Sequence, residues 1–236
     1  MLSDNFFIFK RNDGLEVSSI DLGSIVAKPS IPRAKRVIKH ISIEGRDGTL
    51  TEDTGAYNNI EISLQLINFK ENILEKEVLS LLDGSGGELK LSWLQGNFKV
   101  KEVNQFLITE ETPGVFKIDL TFICEPYRYS EHVDTVNILT KESKINVIGN
   151  ATADHITTIY GDGDISLLIN DKQINFKNVE GFITINTAKL ICYKDTTSTN
   201  NKMVGDFIKL SPGNNTISWI GNVSKITIDY VGRFLS

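Results

Sequence analysis

Apolar and polar residues alternate along most of this chain with a period of two, the spacing that sends successive side chains to opposite faces of a β-strand. In Ile60–Ile67, Ile60, Ile62, Leu64 and Leu66 alternate with Glu61, Ser63 and Gln65. Val115–Ile123 sets Phe116, Ile118, Leu120 and Phe122 against Lys117, Asp119 and Thr121. Lys225–Gly232 repeats the pattern with Ile226, Ile228 and Tyr230. Such strands pack one face on a core and leave the other for water or a partner. One segment departs from this rule. In Asn72–Gly84, Leu74, Val78, Leu81 and Leu82 fall on one helical stripe, and Gly84 supplies a C-terminal stop, so the pattern predicts an amphipathic helix. A single helix among many strands predicts a mainly β fold.

Punctuation divides the chain. The stretches LQGN and ETPG mark turns after the helix, and Pro126 in CEPYRYSE (Cys124–Glu131) is expected to end the first strand run. The expected domains are 1–133 and 134–236. The second carries HITTIYG, ISLLIN, QINF, FITINT, LICYK, FIKL, TISWIG and KITIDYV between Gly, Asn and Asp turns. Short strands spaced by about 8–12 residues predict a sandwich or jelly roll.

Composition narrows the class. Of 236 residues, 40% are hydrophobic and 23% charged, enough for packed cores and against global disorder. No apolar run approaches the roughly 18 residues of a membrane span, and the polar start MLSDNFFIFKRNDG reads as a mature cytosolic N-terminus. Net charge is −5, with neither half basic enough for a nucleic-acid footprint. The one basic cluster, Arg33, Lys35, Arg36, Lys39 and His40, reads as a solvated strand edge or a local protein contact. Cys124 and Cys192 have no metal spacing and read as buried small apolar residues; His40, His132 and His155 stand apart from them and from each other.

The stretch Ile43–Tyr57, IEGRDGTLTEDTGAY, concentrates glycine, threonine and charge between two strand-like runs. It is no phosphate loop, because it lacks the GxxxxGK[ST] spacing and no helix follows to aim amide donors. Nothing in the sequence partners Asp47 or Glu52 as an acid/base pair. Gly45 and Gly48 read as turn formers. The acidic stretch around Asp162, Asp164 and Asp171 lacks the offsets of a calcium loop and reads as turns. Trp219, after Ser211-Pro-Gly-Asn-Asn, reads as core or as a ring for stacking on a sugar, with Asn214, Asn215 and Asn222 near it in sequence. No GxSxG or Ser/His/Asp set is present. The expectation is a protein without catalytic residues, metal or cofactor.

Four stretches in order carry a resemblance: IEGRDGTLTEDTGAYNNIEISLQL, the helix followed by GGELKLSW, DLTFICEPYRYSE, and the C-terminal GDFIKLSPGNNTISWIGNVSKITIDYVGRFL. Together they resemble the distal tail protein (Dit) family of phages with long, non-contractile tails. Glu125 departs from the aspartate usual before the proline, and Asp154-His155 stands where a proline-containing strand start is usual.

The resemblance implies an N-terminal split β-barrel with one helix and a C-terminal galectin-like β-sandwich. It implies a structural virion protein at the tail tip, made and assembled in the host cytoplasm. It further implies a hexameric ring, single or stacked, that joins the tail tube protein to the tail-associated hub protein around the end of the tape-measure protein. No sequence-specific nucleic-acid contact and no membrane insertion are implied. Within it, Gly45, Arg46, Asp47, Gly48, Glu52, Asp53 and Tyr57 are the expected assembly loop, with a solvent-exposed hairpin tip as the alternative. The competing function is carbohydrate binding or host adhesion through the second domain, with Trp219 as the contact.

Overall fold

The structure, a computed structural model, describes residues 5–68 and 86–235, apart from the side chains of residues 105 and 106. The helix expected over 72–84 lies outside the described residues. Among these, the fold is mainly β, in two compact units: one holds the described residues up to Tyr129 together with Leu235, the other Ser130–Phe234. The division falls at Tyr129/Ser130 rather than after residue 133.

The first unit contains β1 (Phe7–Arg11), β2 (Glu16–Ser18), β3 (Ile25–Ala27), β4 (Arg36–Ser42), β5 (Thr49–Tyr57), β6 (Ile60–Asn68), β7 (Gly87–Leu91), β8 (Asn97–Thr112) and β9 (Val115–Tyr129). Its main sheet runs β2-β1-β7-β8-β9-β6-β3, while β4 and β5 pair only with each other. The alternation of β6 and β9 does what period two requires. Ile62, Leu64 and Leu66 lie directly opposite Phe122, Leu120 and Ile118, and all six are buried. Phe7 and Phe9 of β1 bring their rings to 6.1 and 5.3 Å from that of Phe122. Each such burial stabilises the fold by about 1.5–3 kcal/mol. Strand β9 does not stop at Pro126. It continues to Tyr129, and its register with β8 shifts between Val100↔Cys124 and Phe98↔Arg128. A residue with no N–H to donate is accommodated at such an irregularity.

The second unit contains β10 (Asp134–Ile138), β11 (Ser143–Val147), β12 (His155–Ile169), β13 (Lys172–Val179), β14 (Phe182–Asn186), β15 (Ile191–Lys194), β16 (Thr197–Ser198), β17 (Met203–Val204) and β18 (Gly213–Tyr230). Two pairs of expected strands are continuous. HITTIYG and ISLLIN are both β12, and TISWIG and KITIDYV are both β18. The GDGD stretch between the first two is a bulge, not a turn. Register between β12 and β18 shifts at Tyr160/Gly161 and again over Asp162/Ser166. The bend lets one long pair serve two layers. The first half of β12 pairs with β14 and its second half with β13, while β18 carries β11 on its first half and β10 on its last residues. Ile159, Ile183 and Ile226 from one layer and Leu167, Ile174 and Ile217 from the other share one buried core.

Glycine permits the bend. A Cβ on Gly161 would sit 2.2 Å from the Asn222 carbonyl oxygen, and one on Gly221, at φ +109°, 2.5 Å from that of Asp164. The two aspartates hold the bend from its flank. Asp162 Oδ1 accepts from the Gly181 N–H at 2.8 Å and Asp164 Oδ1 from the Asn178 N–H at 2.9 Å. That is a structural use for the acidic stretch.

Both cysteines are buried and unpaired, and burial pushes the Cys124 thiol up to about 12. His155 is also buried. Its Nε2 lies 2.8 Å from the Ile208 carbonyl oxygen and its Nδ1 2.7 Å from the Thr157 hydroxyl. The neutral ring protonated at Nε2 satisfies both contacts. Burial lowers its pKa below the ordinary histidine value, partly opposed by the Ile208 carbonyl and the Asp154 charge.

Two outcomes follow. Gly161→Ala lowers stability by about 1–3 kcal/mol in urea unfolding, because backbone must move to admit the methyl. The second concerns pH. A lowered folded-state pKa means the unfolded chain binds the proton more readily, so stability is full above the ordinary histidine pKa and falls as pH drops through the lower folded value. The unfolding temperature is expected to fall between pH 7.5 and pH 5, by less in His155→Gln than in the unchanged protein.

Candidate assembly interface

Among the described residues, the hairpin β4–β5 packs against the first core only through Tyr57 at its base. Every residue of Arg36–Ser42 and Thr49–Tyr57 is exposed except Val37 and Tyr57, which are half-buried. An isolated two-stranded hairpin is marginally stable in water, so its base needs an anchor. That anchor is a cluster of charge and rings. Arg36 pairs with Asp53, its Nε lies 3.4 Å from the Tyr57 hydroxyl, and its guanidinium stands 5.6 Å from the centre of the Tyr57 ring. The Tyr57 hydroxyl, followed by the Asp53 charge, raises the Arg36 pKa above its ordinary value. Tyr57 in turn meets Tyr127 edge-on at 6.1 Å. Backbone contacts extend the anchor, with the Asn58 N–H donating to the Lys35 carbonyl and the Thr54 hydroxyl to that of Val37.

Register separates the two faces of the arm. Lys39 lies opposite Glu52 and Ile41 opposite Leu50, so these four share one face, with Ile43 following in the same alternation. Ile38, His40, Ser42, Thr49, Thr51 and Asp53 form the other. Ile41, Ile43 and Leu50 are 43–46% exposed. Three large aliphatic side chains side by side at the end of a free arm are unsatisfied in a lone chain. Lys39 and Glu52, 3.8 Å apart, close that patch on the side of the hairpin's base.

The structure thus divides the expected assembly loop. Gly45, Arg46, Asp47 and Gly48 form the turn, with φ +78° at both glycines and the Arg46 N–H on the Ile43 carbonyl. Arg46 and Asp47 make no ion pair among the described residues. Glu52, Asp53 and Tyr57 are not loop residues. They lie on β5, and Asp53 and Tyr57 hold the base rather than the tip. The sequence reading missed Ile41, Ile43 and Leu50, although the spacing of Lys39, Ile41 and Ile43 already carried the signal.

A second surface is a strand edge. Strand β7 pairs with β8 only up to Val100, and no strand among the described residues pairs with that edge from Lys101 to Thr112. At the opposite side of the same sheet, β3 covers only Gln65–Ile67 of β6. Unpaired backbone donors and acceptors of this kind are templates for another strand.

Trp219 belongs to neither surface. It is 6% exposed and lies in the second core, so it presents no ring to a sugar. Asn215 is buried too, and its amide bonds Ser211 and Gly213 while its oxygen accepts from Asn170 and Ser211. The glycan contact expected at this site is therefore withdrawn. Among the described residues, no group of three or more His, Cys, Asp or Glu side chains is placed to hold a metal, and no helix is long and apolar enough to cross a membrane.

Two antiparallel β units, the first with an exposed hairpin arm and with sheet edges that no strand among the described residues covers, define a mainly β class of two-unit proteins. Within that class the chain has the fold of SPP1 Dit, described as a paradigm of the hub adsorption apparatus in phages infecting Gram-positive bacteria. The two superpose with a TM-score of 0.75 over 97% of this chain and 99% of that one, at 14% sequence identity. Chains of the phage P2 baseplate in its activated conformation align less closely, with TM-scores of 0.49 and 0.46 at 13% and 15% identity, over 96–97% of this chain and 97% of those. The fold assignment rests on the first. No family model matches the sequence, and no curated protein is detectably similar to it.

Because the patch residues are exposed and touch no core, Leu50→Asp is expected to lower stability by no more than about 1 kcal/mol, the size of a lost cross-strand pair. Urea unfolding checks this.

Proposed function

We propose that this protein is the distal tail subunit of a long-tailed phage, a structural component of the virion tail tip and not an enzyme. The observation that carries the reading is the likeness to SPP1 Dit along essentially the whole of both chains. In this reading, copies assembled in the host cytoplasm close into a hexameric ring. The ring joins the tail tube to the tail-associated hub or baseplate proteins and surrounds the end of the tape-measure protein. The first unit forms the ring, and the galectin-like second unit stands outside it.

The geometry of the first unit supports a ring in a specific way. A cyclic assembly needs two different, complementary surfaces on each copy, because neighbours meet head to tail. Among the described residues, an open edge along β8 and another along β6 lie on opposite sides of one sheet. The hairpin arm adds an apolar patch and a charged tip. An obligate contact buries on the order of 2,000 Å² or more, which one hairpin alone does not supply, so edges and arm act together.

Light scattering on purified protein, with negative-stain microscopy, is the test. The expected particle has six times the 26.3 kDa chain mass, or twice that, and a central hole. Leu50→Asp shifts it to smaller species while leaving the fold intact. A monodisperse monomer up to the solubility limit, or a closed particle of another symmetry, overturns the ring.

A further inference from the structure

Four Asp-Gly pairs stand in the chain, at 13–14, 47–48, 83–84 and 162–163, and there is no Asn-Gly pair. The dipeptide has a chemistry of its own. The glycine amide nitrogen, which no Cβ shields, attacks the aspartate side-chain carboxyl. The N–Cγ bond forms, the carboxyl hydroxyl leaves as water with the amide proton, and a five-membered succinimide results. Water then opens the ring at one of its two carbonyls. Opening at the α-carbonyl breaks the old peptide link and leaves isoaspartate, whose main chain runs through the side-chain carbon. No oxidant, metal or other reagent is consumed.

Closure asks two things of a folded chain: a carboxyl free to swing onto the next amide, and an amide nitrogen free to receive it. Where either is bonded, the segment must first open locally. Two of the three described pairs are bonded. Asp13 Oδ1 accepts from the Leu15 N–H at 3.2 Å, its Oδ2 pairs with Arg11 at 2.7 Å, and the Gly14 N–H donates to the Arg11 carbonyl at 3.0 Å. Asp162 Oδ1 accepts from the Gly181 N–H at 2.8 Å, and Gly163 is fixed opposite Val179 in the bulged ladder. The pair at 83–84 lies outside the described residues.

Asp47 and Gly48 differ on every count. Both are exposed. Among the described residues, Asp47 makes no hydrogen bond or ion pair, and the Gly48 N–H donates to nothing. A Cβ on Gly48 would meet no atom within 4 Å, so no neighbour crowds the residue. Gly48 sits at φ +78°, just before the ladder closes at Thr49.

We propose that Asp47–Gly48 is a spontaneous modification site, at which the folded chain converts to isoaspartate. The product has one more methylene in the main chain of the turn and carries its carboxylate on the α-carbon. Net charge is unchanged while the tip of the arm is reshaped. Where the arm serves assembly, as proposed above, this limits the lifetime of an unassembled chain; the chemistry at the turn does not depend on that reading.

The test ages the purified full chain for weeks at physiological temperature, one portion native and one unfolded in urea. Digests that keep each pair inside one peptide are read by electron-transfer fragmentation, which separates isoaspartate from aspartate of equal mass. In the native portion, isoaspartate is expected to accumulate at Asp47 about tenfold faster than at Asp13 or Asp162, the scale of one hydrogen bond that must open first. In urea the three rates converge, because the dipeptide is the same and nothing holds it. Asp47→Glu keeps the charge but would have to close a less favoured six-membered ring, so it abolishes the signal at that position. Circular dichroism confirms that the variant is folded. The pair at 83–84 is read from its own peptide and enters neither comparison. Three outcomes overturn the proposal: no isoaspartate at Asp47 in the native chain, native rates at Asp13 or Asp162 equal to that at Asp47, or a signal that persists in Asp47→Glu.

Discussion

A long antiparallel strand pair cannot bury an apolar face on itself unless it bends, and both units of this protein are organised by that constraint. In the first, β8 and β9 shift register at four places along their ladder. In the second, β12 and β18 do so around Gly161 and Asp162. Each shift costs a ladder hydrogen bond locally and turns the strand, as bulges do. The return is that one continuous pair contributes to two layers of a core. In the second unit, Ile159 and Leu167, from the two halves of β12, share one buried core for that reason.

What the core does not explain is the arm. A fold selected only for the stability of the lone chain has no use for nine-residue β5, of which only Tyr57 at the base packs against the first core and the other eight residues are exposed. Its base is secured by exposed charge, which is screened and contributes little in water. Its tip face carries aliphatic side chains that water does not favour. The same holds for the long edge of β8 that no strand among the described residues pairs with, since soluble proteins usually shorten, charge or cover such edges. Each of these features is unfavourable for an isolated chain.

Much of the fold was legible from alternation alone. Ile60, Ile62, Leu64 and Leu66, and likewise Ile226, Ile228 and Tyr230, are buried as their spacing requires. The misreadings share a cause: glycine, proline and aspartate mark any break in a ladder, and a bulge breaks it as a turn does. GDGD therefore looked like a turn between two strands when it bends one, and Pro126 looked like a terminus. The arm was misjudged in a different way. Charge and glycine density flagged the turn, but an exposed strand carries aliphatic residues that a pattern search assigns to a core. Trp219 followed the rule that a tryptophan on an alternating strand faces inward.

The burial of the two thiols bears on how copies of the chain hold together. With the Cys124 thiol pushed up to about 12 and no cysteine exposed on the surface, virtually no thiolate is presented near neutral pH. Oxidising and reducing surroundings then look alike to the folded protein. Neither buried thiol is placed to form a disulfide with another molecule, so an assembly of this chain would be held non-covalently and would answer to concentration and salt rather than to redox state.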